Sequence, residues 1–424
     1  RDDMAKQSNP RTTPRTTATT HGRDVRGDMV AQAADSFAAA PLTEFSGEHG
    51  RAVHASAPCA KGELLFVEEP LQCMQLPHSA DAVISCALCM KPVGTLAGQL
   101  EHLTPQASGK WTLPLDDDDD GTIASCMPCI GGCGARYCSP RCADKAASCG
   151  HRFLCAATGD DGAHATALAR FCEHALAEYD GFFLFGAQIV CHIVHRLERK
   201  KAGAADALYA PFCRGLWWDI TEVDEGTPAQ MARARKELKE CARRSYTLLL
   251  AVLRARGVGD GALGWLTLDE WGGLLGMLRQ NSLCVEVDNP TADFVETLRG
   301  WHASGHSDGG VGRLLRALPD EVAECVVGTA LYDRVACLNH SCAPNAHVRF
   351  DRSGTYAAAV VATRPIAAGE EVTISYIDCN ERAGVHERHA ELADYGFACA
   401  CSKCEVELGW QRRLRQRREI FYSA

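Results

Sequence analysis

A chain of 424 residues with 46% apolar content can bury more than one core, so disorder is expected to be local and not pervasive. Its 44 Lys and Arg against 54 Asp and Glu leave a net charge of -10, which disfavours a chain that coats nucleic acid, because phosphate neutralisation needs clustered cations. Cysteine is the outlier: 23 residues, many in tight pairs, with no hydrophobic signal peptide opening the sequence, speak for zinc in a reducing compartment over disulfides.

Residues 1–44, rich in Thr, Arg and Ala without apolar periodicity, read as a disordered arm, and its aspartates argue against a transit peptide. Residues 45–85 open a β-patterned part, with short strands at 50–55 and 62–67 around a turn at Lys61-Gly62. A cysteine-rich module covers 86–155 and is interrupted by a polar insert, 91–125, whose run Asp116 to Asp120 reads as a solvated loop. Residues 156–280 are mostly helical by pattern, with apolar residues at three and four spacing over 165–179, 183–199, 228–256 and 268–280, and again over 312–327. His192 and His195 share one helix face without a third ligand and read as packed or surface residues. The longest apolar stretch, Gly181 to Val194, contains Gln188 and His192 and is too short to span a bilayer. β-patterned segments return within 281–390, at 346–350, 356–362 and 371–376. A cysteine cluster at 391–406 and a basic tail at 407–424, read as a solvated helix, complete the chain. The expectation is a soluble, intracellular protein of nucleus or cytoplasm, with no membrane partner.

Four ligand pairs stand in the cysteine-rich module: Cys86-x2-Cys89, Cys129-x3-Cys133, Cys138-x3-Cys142 and His151-x3-Cys155. One local turn aims both members of a pair at one ion, and a second turn completes a closed tetrahedron, so the pairs suffice for two structural zinc sites. Cys126-x2-Cys129 is a competing pair. The module holds few large apolar residues, so its folding free energy must come largely from metal.

Three later segments carry the chemistry: Asn339-His340-Ser341-Cys342-Ala343-Pro344-Asn345, Glu370-Glu371-Val372-Thr373-Ile374-Ser375-Tyr376, and Cys399-Ala400-Cys401-Ser402-Lys403-Cys404. In this order they resemble the catalytic half of a SET domain with its zinc-binding post-SET tail. Tyr137-Cys138-Ser139 followed by Cys142, His151 and Cys155 is similar to a MYND-type zinc finger. Over about 45–405 the chain thus resembles the SET-and-MYND family of protein lysine methyltransferases.

That resemblance implies an α+β fold: a β-rich SET fold of small twisted sheets with a pseudoknot, interrupted by the finger and a helical insert. It implies methyl transfer from S-adenosylmethionine to a lysine of a protein substrate. It also implies three structural zinc ions, on Cys86, Cys89, Cys138 and Cys142; on Cys129, Cys133, His151 and Cys155; and on Cys342, Cys399, Cys401 and Cys404. The other 12 of the 23 cysteines then need no special role. MYND-type fingers are usually interaction modules, so a protein partner is expected there. Asn339 and His340 would contact the cofactor, and Asn281 would hydrogen-bond it. Gly50-Arg51-Ala52 aligns with a G-x-G turn near its methionine end, where Ala52 departs from the pattern; a Cβ at positive φ costs on the order of 1 kcal/mol. Tyr209 either covers the adenine or packs among helices.

Tyr376 would orient the lysine amine, with Tyr395 and Phe397 lining its channel and Tyr376 and Phe397 also facing the cofactor. The chemistry needs such walls, since the nucleophile must be a neutral amine and free lysine is protonated near neutrality. Aromatic rings also tolerate a methylammonium product. The competing reading is a zinc-dependent interaction scaffold with a degenerate SET core, for which Ala52 is the main argument.

Overall fold

The structure, a computed structural model, describes residues 42–47, 50–107, 111–115, 120–156, 162–178, 181–199, 208–221, 223, 226–305, 309–350, 356–379 and 384–422. Residues 1–41 of the expected arm and Asp116 to Asp119 of the acidic run lie outside them. The arm's last residues belong to a strand instead, Leu42–Gly47, which pairs antiparallel with Gly50–Ala55.

The fold is mixed, with small sheets packed beside a helical body. One sheet is antiparallel in the order Ala346–Phe350, Ala358–Ala362, Leu64–Glu68. Its central strand is Ala-Ala-Val-Val-Ala, compact residues nearly all buried, as a strand covered on both faces requires. A second antiparallel sheet places Cys325–Leu331 between Gln72–Gln75 and Ser282–Asp288. Between these sheets lies one apolar core that includes Val53, Leu65, Val285, Val326, Tyr332 and Val360.

The helical body is built from Ala163–Ala177, Phe182–Glu198, Pro228–Ala255 and Leu268–Asn281. Phe171, Phe183, Trp217 and Trp271 fill its core, each almost wholly removed from water. The long helix starts where its sequence says it should. Thr227 and Gln230 form a reciprocal capping box, and Pro228 occupies the first turn, where a missing N–H costs nothing. Gly276 is the close-approach glycine: a Cβ there would meet the Gly215 carbonyl oxygen at 1.8 Å. This contact seats the last turn of Leu268–Asn281, and hence Asn281, against the 213–215 segment.

One expected helix is corrected. The pattern over 312–327 is a helix only as Gly309–Ala317; then follows the strand Cys325–Leu331. Pro319 lacks the N–H that a continuing helix needs, and the residues beyond it alternate between buried and half-buried sites. The strand Ser282–Asp288 and the helix Pro290–Ala303, capped by Asn289, fill a stretch for which the sequence pattern gave no element. The polar insert also has structure. Its helix Leu96–Leu103 buries Leu100 against Val295, Leu298 and Leu314 in a satellite core. Among the described residues no helix is long and apolar enough to cross a membrane.

Candidate active site and thiolate clusters

Three distant segments knit together at one point. Asn339–His340 pairs parallel with Thr373–Ile374, and the Ser341 N–H donates to the Ile374 carbonyl at 2.9 Å. Buried Asn345 fixes the register: its amide donates to the Glu371 carbonyl at 2.8 Å, while its oxygen accepts the Thr373 N–H at 2.8 Å. The Val372 N–H donates to the Val53 carbonyl at 2.7 Å, bringing in the first hairpin. Asn339 bridges all three, donating to Glu371 Oε1 at 2.7 Å and to the Arg51 carbonyl at 3.2 Å. A short polar side chain at each crossing satisfies backbone groups that irregular strands leave open.

His340 has its tautomer set by its neighbours. Nδ1 lies 3.0 Å from the Tyr376 N–H and accepts from it, so the neutral ring carries its proton on Nε2, 3.3 Å from Cys342 Sγ. Burial, then the charge of Arg388, push its pKa down to about 4.

Around it stands an aromatic cluster. The Tyr376 ring centroid lies 5.0 Å from Tyr395, 5.4 Å from His340 and 6.3 Å from Phe397, and His340 lies 6.0 Å from Phe397. The Tyr376 hydroxyl donates to the Leu338 carbonyl at 2.7 Å. Burial, then neighbouring Tyr395, push its pKa well above the ordinary tyrosine range, so it remains a phenol. Tyr376 and Tyr395 line a pocket together with Asn281, Ser282, Cys284 and Val335.

Other expected site residues divide. Ala52 lies within the strand Gly50–Ala55 and is not among the positive-φ residues, so its Cβ carries no left-handed strain there. Gly50 pairs with Gly47 at the hairpin end, and the Arg51 guanidinium reaches Asp333 at 3.3 Å and covers the Phe212 ring. Asn281 lines the pocket, but its amide nitrogen already donates to the Met277 and Cys213 carbonyls at 2.7 and 3.0 Å. Tyr209 is buried in the helical core with its hydroxyl 2.8 Å from His192 Nδ1, which is the packing alternative. His192 also meets Gln72 at 3.1 Å and belongs to no cluster of metal-binding groups.

Glu68 gave no signal in the sequence. Its carboxylate accepts the N–H groups of Asp333, Arg334 and Val335 at 2.8 to 3.0 Å. It thereby pins the turn that presents the Leu338 carbonyl to Tyr376.

The thiol groups gather as the pairs suggest. Ligand atoms of Cys86, Cys89, Cys138 and Cys142 lie within 4.8 Å of one another, as do those of Cys129, Cys133, His151 and Cys155, and those of Cys342, Cys399, Cys401 and Cys404. Separations include 3.5 Å for Cys89–Cys138 and Cys138–Cys142, 3.8 Å for Cys129–Cys155 and 3.5 Å for Cys342–Cys404. Tetrahedral zinc with Zn–S bonds of about 2.3 Å has edges of roughly 3.8 Å, so the donor sets and their spacing fit that ion. The cysteines are all free, and exposed Cys126 stands outside the clusters, leaving Cys133 as the partner of Cys129. Interleaving has a local cause: the short pairing of Met127–Pro128 with Arg136–Tyr137 brings Cys129 and Cys138 to opposite sides of one hairpin.

A family model, the SET domain, matches residues 186–377. The fold and the crossing of 339–345 with 370–376 therefore belong to a SET-domain protein. Over most of its length the chain is similar to the histone-lysine N-methyltransferase ATXR2 of Arabidopsis thaliana, with 29% identity covering 85% of this chain and 89% of the relative. It is 26% identical to the protein-lysine N-trimethyltransferase SMYD5 of Homo sapiens, covering 85% of each. An 82-residue stretch is 40% identical to the histone-lysine N-methyltransferase SMYD3 of Mus musculus, covering 19% of this chain and 18% of that one. The chain thus carries a SET domain and is similar over most of its length to protein-lysine methyltransferases, which supports that activity here.

Proposed function

We propose that this lysine methyltransferase moves the methyl group of S-adenosylmethionine to the ε-amine of a substrate lysine held between Tyr376, Tyr395 and Phe397. The observation that carries this reading is the Tyr376 hydroxyl, aimed at the Leu338 carbonyl inside a cage of aromatic rings. S-adenosylmethionine supplies an electrophilic methyl group on a sulfonium; the chain supplies placement and dielectric. The rings remove water from the lysine stem, and low dielectric favours the uncharged amine. The Tyr376 oxygen, its proton committed to Leu338, offers lone pairs that hold the amine on line. A phenol with so raised a pKa does not take the ammonium proton, which must leave to solvent before transfer.

Asn339, His340 and the Gly50-Arg51-Ala52 backbone would hold the cofactor beside that channel, with Asn281 at its rim. This is supported by the bond from Asn339 to the Arg51 carbonyl and by the shared pocket of Asn281, Tyr376 and Tyr395. The three thiolate clusters would each hold one structural zinc ion, with the first two forming a MYND-type finger that docks a protein partner and the third a post-SET tail. Cys342 gives the third ion its purpose: it joins the 339–345 segment to the stretch bearing Tyr395 and Phe397. Given relatives named for histone and protein lysine, the substrate is a lysine of a histone or another nuclear or cytoplasmic protein.

The test is incubation of full-length protein with methyl-labelled S-adenosylmethionine, histones and cell extract, alongside its melting temperature with the cofactor and its demethylated product. Label in protein and an upward shift are expected. No label together with no shift would remove the reading.

A further inference from the structure

Arg388 lies on the helix Val385–Leu392 with its side chain 0% exposed, the one Asp, Glu, Lys or Arg fully buried among the described residues. A guanidinium taken out of water is costly unless its N–H groups find strong acceptors. One acceptor is the half-buried carboxylate of Glu407, 3.2 Å away on the terminal helix Ser402–Tyr422. The others are sulfur: Cys404 Sγ at 3.4 Å, and Cys342. Neutral thiols are weak acceptors and give little reason to bury a cation. Four thiolates on one divalent ion, in contrast, carry a net charge of about −2, and the cation beside them is then in a favourable place.

The third cluster is also the one in most need of such a partner. Three of its four cysteines are buried, against one in each of the finger clusters, and unlike the Cys129, Cys133, His151 and Cys155 set its four donors are all sulfur. Geometry links it to the channel as well. Arg388 sits one helical turn before Leu392, where the helix passes into the turn Ala393–Tyr395 and then to Phe397 and Cys399. His389 ties the same helix to the Cys399 carbonyl at 3.0 Å.

We propose that Arg388 is a positioning residue: its buried guanidinium is the charge partner of the Cys342, Cys399, Cys401 and Cys404 site when zinc is bound. Through its helix it holds Tyr395 and Phe397 against Tyr376. This rests on the zinc reading of that cluster.

The test compares full-length protein, purified with zinc, with R388M, R388K and C404S. Bound zinc per chain and its rate of removal by a chromophoric chelator are measured. C404S addresses the zinc reading alone and should lose one ion. R388M should lose the same ion, or release it about 10- to 100-fold faster, while keeping the other ions and the wild-type helical spectrum. R388K should fall between, since an ammonium restores charge without the planar fork. Both Arg388 variants should also raise the KM for a lysine peptide. A merely structural role would loosen every site alike, so selective loss of one ion separates the two. Wild-type zinc content and release in R388M, with one ion lost from C404S, would overturn the role of Arg388. Full zinc retention by C404S would instead overturn the zinc reading. If R388M does not fold, R388K decides: faster release supports the pairing, and wild-type release sinks it.

Discussion

The helical body and the cysteine-rich regions reach stability by different physics. In the body, Phe171, Phe183, Trp217, Trp271 and several leucines form one continuous apolar core. In the tail, the corresponding cluster consists of Cys342, Ile377, Val385, Leu392, Cys399 and Cys404, and in the finger of Cys86, Val93, Tyr137 and Ala146. Burial at about 25 cal/mol per Å² can hold the first but not the other two, whose few apolar side chains cannot offset the ordering of their loops. The proposed active site lies where the two regimes meet. Tyr376 comes from the apolar β core, and Tyr395 and Phe397 come from the segment that cysteines hold.

On the proposed zinc reading, removal of the metal should separate these regimes most sharply. Structural zinc contributes on the order of 10 kcal/mol in comparable small sites. Treatment with a strong chelator should abolish methyl transfer and expose the cluster cysteines to thiol reagents, while circular dichroism retains most of the helical signal. Collapse of the whole helical spectrum would show that the body also depends on metal.

Next in size is the converse experiment. Trp271→Ala removes a fully buried side chain and its indole bond to Ser245, and should cost about 3 to 5 kcal/mol of stability by thermal or urea unfolding, with zinc content unchanged. A variant that lost zinc as readily as stability would erase the distinction.

At the junction, Tyr376→Phe removes the hydroxyl and nothing else. It should lower kcat about a hundredfold, as loss of one positioned polar group does, with melting temperature and zinc content near wild type. Glu68→Gln should act more weakly, by about 1 kcal/mol on kcat/KM, because only the turn behind the Leu338 carbonyl loosens. Loss of stability with unchanged kcat/KM would make Glu68 a structural anchor alone.

The pH profile provides the finest discrimination. Free lysine titrates near 10.4, so the neutral amine fraction grows about tenfold per unit between about pH 7 and 9, and the rate should climb with it. Tyr376 is pushed above its ordinary value by burial, so its ionisation should add no falling limb in that range. A descending limb below about pH 9 that disappears in Tyr376→Phe would contradict its role as a permanent phenol.

The cysteine and histidine clusters were legible because their spacing is local: each pair is made within one turn, so the sequence carries it directly. Their interleaving came from family resemblance and agrees with the clusters. The β segments at 50–55 and 346–350 were likewise plain from alternation. What failed was whatever depends on distant neighbours. The pattern over 312–327 ran through Pro319 and joined a helix to a strand. Ala52 looked like a strained departure, but the sign of φ is a property of the hairpin it joins, not of its spelling. With that strain absent, the argument for a degenerate core loses its footing. Glu68 and Arg388 were invisible for the same reason: their partners, at 333–335 and at Cys404, are chosen by tertiary packing.

The most direct measurement is tandem mass spectrometry of substrate protein after incubation with S-adenosylmethionine and the purified enzyme, with Tyr376→Phe in parallel. The account predicts methyl groups on lysine ε-amines with wild type, at a far lower level with the variant. Methyl groups on another residue type, or equal lysine methylation by the two enzymes, would contradict it.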